Sequence, residues 1–155
     1  MHKITQIENP GQKANLCNHI LRALPNWFGN EPAIVDYAEK AQLMPFWAAF
    51  DRETPVGFVA LKVHNAHTSE VCVMGILEAY HRHGIGKQLI SCCESHCRDN
   101  QTEYLSVKTL DASAQSNSYA KTRLFYLAMG FRPLEVFPLH WDEENPCLFM
   151  AKYLG

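Results

Sequence analysis

The chain has 155 residues, 47% of them apolar and 19% charged, which suits one globular domain with its own core and excludes a low-complexity segment. A net charge of −2 supplies no basic excess for nucleic acid, and no apolar run reaches the roughly 20 residues of a membrane span. The opening MHKITQIENP lacks the apolar stretch of a secretory leader, so the expected address is the cytoplasm, with the six cysteines as buried thiols rather than disulfides.

In chain order, residues 3–8 (KITQIE) alternate apolar and polar and read as a strand that Pro10 and Gly11 break. Ala14, Leu16, Cys17, Ile20, Leu21 and Leu24 repeat at helical spacing over 12–24, and Pro25 stops that helix. After a loop at 25–32, Pro32 and AIVDYAEKA begin a second helix. Residues 44–51 and 56–63 form a hairpin across RETP, and 69–77 (SEVCVMGIL) is apolar enough for a central strand. A helix follows over 84–98, a strand over 103–110, and a helix over 116–130 with Gly130 as its stop. Strands at 131–137 and 146–154, joined by PLHWDEENP, close the chain. The pattern predicts one domain over 1–155, an α/β (α+β) arrangement of a sheet with helices on its faces.

The stretch EAYHRHGIGKQLI (78–90) places Gly84 and Gly86 between an apolar strand and a helix. The first N–H groups of a helix lack intrahelical acceptors and the helix dipole adds positive charge, so such a turn can hold an anion. Glycine leaves the amides accessible, and Arg82, His83 and Lys87 add charge. A turn that needs only unusual backbone angles is the bland alternative. Two other phosphate patterns fail: Leu89 stands where the third glycine of a dinucleotide fingerprint belongs, and Gln88 follows Lys87 where a P-loop needs Ser or Thr.

VMGILEAYHRHGIGKQLI resembles the acetyl-CoA motif of the GNAT superfamily of N-acetyltransferases. That motif, Gln/Arg-x-x-Gly-x-Gly/Ala, falls on residues 81–86, with His81 departing from the usual first residue. RLFYLAMGF (123–131) is similar to a second signature, Tyr-x-x-x-Gly-Phe, at Tyr126, Gly130 and Phe131. The likeness spans about residues 50–152. It implies a mixed, mostly antiparallel, twisted sheet with helices on both faces, and transfer of an acetyl group from acetyl-CoA to an amine. It further implies a pyrophosphate on the amides of Arg82, His83, Gly84, Ile85, Gly86 and Lys87, and a pantetheine arm paired with the backbone of Ile76 and Leu77.

Tyr126 reads as a core aromatic by spacing alone, and as the general acid for the departing thiolate by its place in the second signature. Glu70 reads as a solvated acid at a strand edge, or, from a histone-acetylating branch of the resembled family, as the base for the amine. Asn117 is placed to cap the helix of Tyr126 or to touch CoA. Cys93, His96 and Cys97 have spacing that could serve zinc, yet Cys93 and Cys97, with Ile85 and Leu89, supply the apolar face their helix needs, and no metal is expected. Trp27, Phe28 and Trp141 are expected to wall the acceptor site. The expected partner is a small-molecule amine, with no nucleic acid and no membrane, and the resemblance admits a homodimer. A protein or peptide N-acetyltransferase and a non-catalytic CoA-binding sensor are the alternatives.

Overall fold

The structure, a computed structural model, describes residues 2–155. The elements run β1 (His2–Gln6), α1 (Pro10–Arg22), α2 (Glu31–Ala41), β2 (Phe46–Asp51), β3 (Thr54–Val63), β4 (Thr68–Ile76), α3 (Ile85–Asp99), β5 (Tyr104–Leu110), α4 (Asn117–Ala128), β6 (Arg132–Asp142) and β7 (Asn145–Tyr153). A single 3-10 turn, Glu78–Tyr80, separates β4 from α3.

The seven strands form one sheet in the order β1-β2-β3-β4-β5-β7-β6. Every neighbouring pair is antiparallel except β4 and β5. Successive residues of β3 serve opposite faces, as the two-residue period of a strand requires. Phe58 and Ala60 pack with Ile20, Leu21 and Ile34 of α1 and α2. Val59 and Leu61 pack with Leu89 and Cys93 of α3 and with Tyr126 of α4. Two helices therefore cover each face of the mostly antiparallel sheet.

Local chemistry sets the helix starts. The Asn9 side chain accepts from the Gln12 amide at 2.9 Å, and Pro10 sits in the first helical turn where its missing N–H costs nothing. Pro10 and Gly11 thus open α1; the sequence reading had placed them before it. Asn30 caps α2 in the same way, accepting from Ala33 at 3.1 Å. After α4, Gly130 takes a positive φ of 94°, the left-handed stop that ends the helix.

Residues 138–142 form part of β6, where the sequence suggested a loop. Pro138 is tolerated because β6 is the edge of the sheet. The Asp142 carboxylate closes a tight turn by accepting from the amides of Glu144 and Asn145 at 3.0 and 2.9 Å.

Two irregularities shape the centre of the sheet. The β3–β4 register shifts between Ala60 paired with Val73 and Leu61 paired with Val71, leaving Cys72 as the extra residue of a bulge. Gly75 lets α1 lie close, because a Cβ there would stand 3.0 Å from Ile20 Cγ2 and 3.1 Å from Leu24 Cδ1. Gly75→Val should overpack this contact and lower stability by about 1–3 kcal/mol, read as a reduced midpoint in urea unfolding with an unchanged slope.

Candidate active site

β4 and β5 pair only over Thr68–Val71 and Tyr104–Val107. Beyond that point β4 continues along β3 as far as Ile76, and β5 continues along β7 as far as Leu110. The two strands part, and a cavity of about 650 Å³ opens between them. Its wall includes Val71 to Ile76 of β4, Val107 to Thr109 of β5, the loop residues His81, Arg82 and Gly84, the first turn of α3, and α4 from Tyr119 to Tyr126.

The hydrogen-bond phase of β4 decides which backbone groups face this gap. The Leu77 amide donates to the Val56 carbonyl at 2.9 Å, so Leu77, Gly75 and Val73 turn their polar groups toward β3. Met74 and Ile76 turn theirs into the gap. Leu77, expected with Ile76 to pair with pantetheine, thus faces β3, and Met74 and Ile76 are the residues whose backbone faces the gap. The Ile76 carbonyl is already engaged, since His81 Nε2 donates to it at 2.7 Å. His81, the residue that departs from the family motif, thereby braces the end of β4 against the turn.

At the cavity's loop end, Arg82 and Gly84 have positive φ values of 66° and 79°. Gly84 is the N-cap of α3 and offers no side chain to its amides, whereas Asn9, Asn30 and Ser116 cap the other three α-helices. The first-turn N–H groups of α3 are left to an external acceptor. A Cβ on Gly84 would meet nothing within 4 Å, so this position is open. Gly86 is different: a Cβ there would stand 2.9 Å from the Phe125 ring. The second glycine therefore also admits the close approach of α4, a role the sequence reading did not assign to it. Ile85, Gly86 and Lys87 line the cavity, whereas the His83 ring is directed to His2 and Tyr80. His83 has only its backbone to offer the cradle.

Tyr126 lines the cavity while packing on Phe125 and Phe131, at ring separations of 5.3 and 5.5 Å. It is 6% exposed. Burial, with smaller effects from Tyr119 and Cys93, pushes its phenol well above the ordinary range. Such a group keeps its proton near neutral pH and so has an O–H to donate. Thr109 Oγ1, on the same wall, is buried without a hydrogen-bond partner among the described residues.

Glu70 is not part of the cavity wall. Its side chain is 9% exposed, and one oxygen is paired with His64 Nε2 at 2.6 Å and with Lys108 Nζ at 3.1 Å. Lys108 stands between this carboxylate and the cavity. The role of base for the amine is withdrawn from Glu70 on that ground; its carboxylate holds Lys108. Asn117 is the first residue of α4, is exposed and lies off the cavity wall, and the cap is supplied by Ser116, which accepts from Tyr119 at 3.2 Å. Cys93 and Cys97 are buried in the core, and His96 meets the edge of Trp47, so that trio serves packing.

Trp27, Phe28, Tyr37 and Trp141 also line the cavity, and the Trp27 ring meets His81 of the loop at 5.5 Å between centroids. Trp27 fixes the loop between α1 and α2: its indole donates to Ser118 O at 3.2 Å and Thr122 Oγ1 at 3.1 Å, and its carbonyl accepts from Tyr119 at 2.7 Å. Tyr37 and Lys108 escaped the sequence reading. For Lys108 a signal existed, because Ser106 and Lys108 form a polar face opposite Leu105 and Val107 on β5.

An uncapped helix start, a cationic loop, a parted strand pair and a buried phenol share one cavity, and the residues present fit acetyl-CoA. The family model for the acetyltransferase (GNAT) domain matches residues 43–133, and the chain belongs to that family of acetyl-CoA-dependent acyltransferases. Among curated protein sequences none matches this chain. Solved structures share the fold at low identity. A Desulfovibrio desulfuricans protein assigned to the GNAT family is 16% identical with a TM-score of 0.83 and 100% of both chains covered. An aminoglycoside 6'-N-acetyltransferase complexed with coenzyme A is 18% identical, with a TM-score of 0.77 and 99% and 97% of the two chains covered. The ribosomal-protein-S18-alanine N-acetyltransferase of Escherichia coli is 13% identical, with a TM-score of 0.76 and 100% and 95% covered.

The buried acids give a pH signature. Burial raises the Cys17 thiol and the Tyr119 phenol to about 12 and the Cys72 thiol to about 11, and it raises Tyr37 and Tyr126 further. In the unfolded chain these groups lose their protons from about pH 8.5 for thiols and about 10 for phenols. Above those values the unfolded state binds fewer protons than the folded one, so stability falls as pH rises. The thermal midpoint should be flat with respect to these groups up to about pH 8 and decline steadily between about pH 9 and 12, measured by circular dichroism melts.

Proposed function

We propose that this protein is an N-acetyltransferase that modifies the primary amine of a small molecule by direct attack on acetyl-CoA. The observation that carries this reading is the single cavity at the parting of β4 and β5. It joins an anion cradle, a buried phenol and an aromatic chamber without a break. Its volume of about 650 Å³ lies in the range of small-molecule sites. The loop carrying Trp27 is fastened to α4, which favours a walled chamber over an open peptide groove.

Bound acetyl-CoA supplies an activated acetyl group. The amides at the start of α3, with Arg82 and Lys87, would hold its pyrophosphate. Met74 and the Ile76 N–H would pair with the pantetheine arm, and Thr109 is placed to gain a partner there. The acceptor enters from the aromatic end. Its N–C bond forms as the C–S bond breaks, and the amine's proton leaves to water. Tyr126 hands its proton to the departing sulfur and regains one from that water, so the phenol begins and ends neutral.

Tyr126→Phe keeps the ring and removes only the proton. It should lower kcat for acetyl transfer at least tenfold while the KM for acetyl-CoA stays within about twofold, followed by thiol release with an amine panel. An unchanged kcat would remove Tyr126 from the chemistry. CoA bound tightly by the wild type with no transfer to any amine would favour the sensor reading instead.

A further inference from the structure

Charge is unevenly placed along the cavity. Arg82, Lys87, Lys108 and Lys121 line it, and among the described residues no aspartate or glutamate does. Arg82 and Lys87 belong to the anion cradle. Lys108 lies on the other face of the sheet. Its neighbour Val107 joins the cluster under α3, so strand alternation turns Lys108 toward the α1–α2 side, where Tyr37 and Cys72 line the same chamber. The acids at the tip of β6, Asp142, Glu143 and Glu144, are exposed and off the wall.

Lys108 is held rather than loose. Its Nζ donates to Glu70 at 3.1 Å and lies 6.0 Å from the centroid of the Phe149 ring. Glu70 is withdrawn from solvent and shared with His64. An ammonium has three N–H donors; Glu70 takes one of them, and the Lys108 side chain stays 25% exposed on the cavity wall. The cavity that Trp27, Phe28, Tyr37 and Trp141 also line therefore presents a positioned cation. A polycationic acceptor would meet like charge here and no carboxylate to offset it. A carboxylate would find a charge-assisted donor. The same cation favours the neutral, attacking form of a nearby amine.

Building on the acetyl-transfer reading above, we propose that the acceptor is a primary amine that also bears a carboxylate on an apolar or aromatic body, an amino-acid-like molecule whose carboxylate seats on Lys108. Glu70 is then a positioning residue, acting through Lys108.

Matched pairs that differ only in the carboxylate test this: phenylalanine against phenethylamine and tyrosine against tyramine, with spermidine and kanamycin as polycations, all followed by CoA release. The carboxylated member of each pair should have the higher kcat/KM by tenfold or more, with the polycations slowest. Lys108→Met should lower kcat/KM for phenylalanine at least tenfold further than for phenethylamine, chiefly through KM, and Lys108→Arg should restore most of the difference. Melting curves with CoA present establish that each variant is folded. Equal or better rates for the decarboxylated amines, a preference for the polycations, or an equal loss for both members of a pair in Lys108→Met would overturn the assignment and leave acetyl transfer standing. Failure of every amine to accept an acetyl group would instead remove the N-acetyltransferase reading, and this inference with it.

Discussion

The structure depends on two strands that begin as partners and then separate. Parallel pairing between β4 and β5 lasts over Thr68–Val71 and Tyr104–Val107, after which each strand keeps its other neighbour. Separation leaves backbone groups without partners inside a protein, which is costly unless something else bonds to them. Here the groups left on the open side of β4 are those of Met74 and the Ile76 N–H, while His81 takes the Ile76 carbonyl. The sheet tolerates the loss because β4 remains paired to β3 and β5 to β7.

The other parts of the site are arranged around that gap. The bulge at Cys72 sits next to the point of separation and resets which residues of β4 face each way. The turn after β4 returns through His81, whose ring bonds to the Ile76 carbonyl, and delivers the uncapped start of α3 to one end. Phe125 on Gly86 brings α4 against α3, which sets the Tyr126 ring on the wall. The second glycine of the motif is thus a packing requirement as much as a binding one.

Much of this was legible in the chain. The strand and helix order followed from periodicity, and the two glycines with the Tyr-x-x-x-Gly-Phe stretch pointed to the family. Most of the misplaced details share a cause: a partner or neighbour distant in sequence. Whether Leu77 or Met74 faces the gap is a matter of hydrogen-bond phase, set by Val56 on β3. Glu70 looked free because Lys108, 38 residues on, is what occupies it. The extent of β6 was hidden by Pro138, whose presence is neutral only on an edge strand. Asn117 and Ser116 are both good capping residues, and only the backbone geometry at Ser116 chose between them.

Trp27 spans the two halves of this machine. Its indole grips Ser118 and Thr122, its carbonyl is gripped by Tyr119, and its ring edge meets His81 at 5.5 Å between centroids. A single residue of the loop between α1 and α2 is thus riveted to α4 and touches the turn that leads into α3. Any tilt of α4 must drag that loop along, so these two walls of the cavity move as one piece.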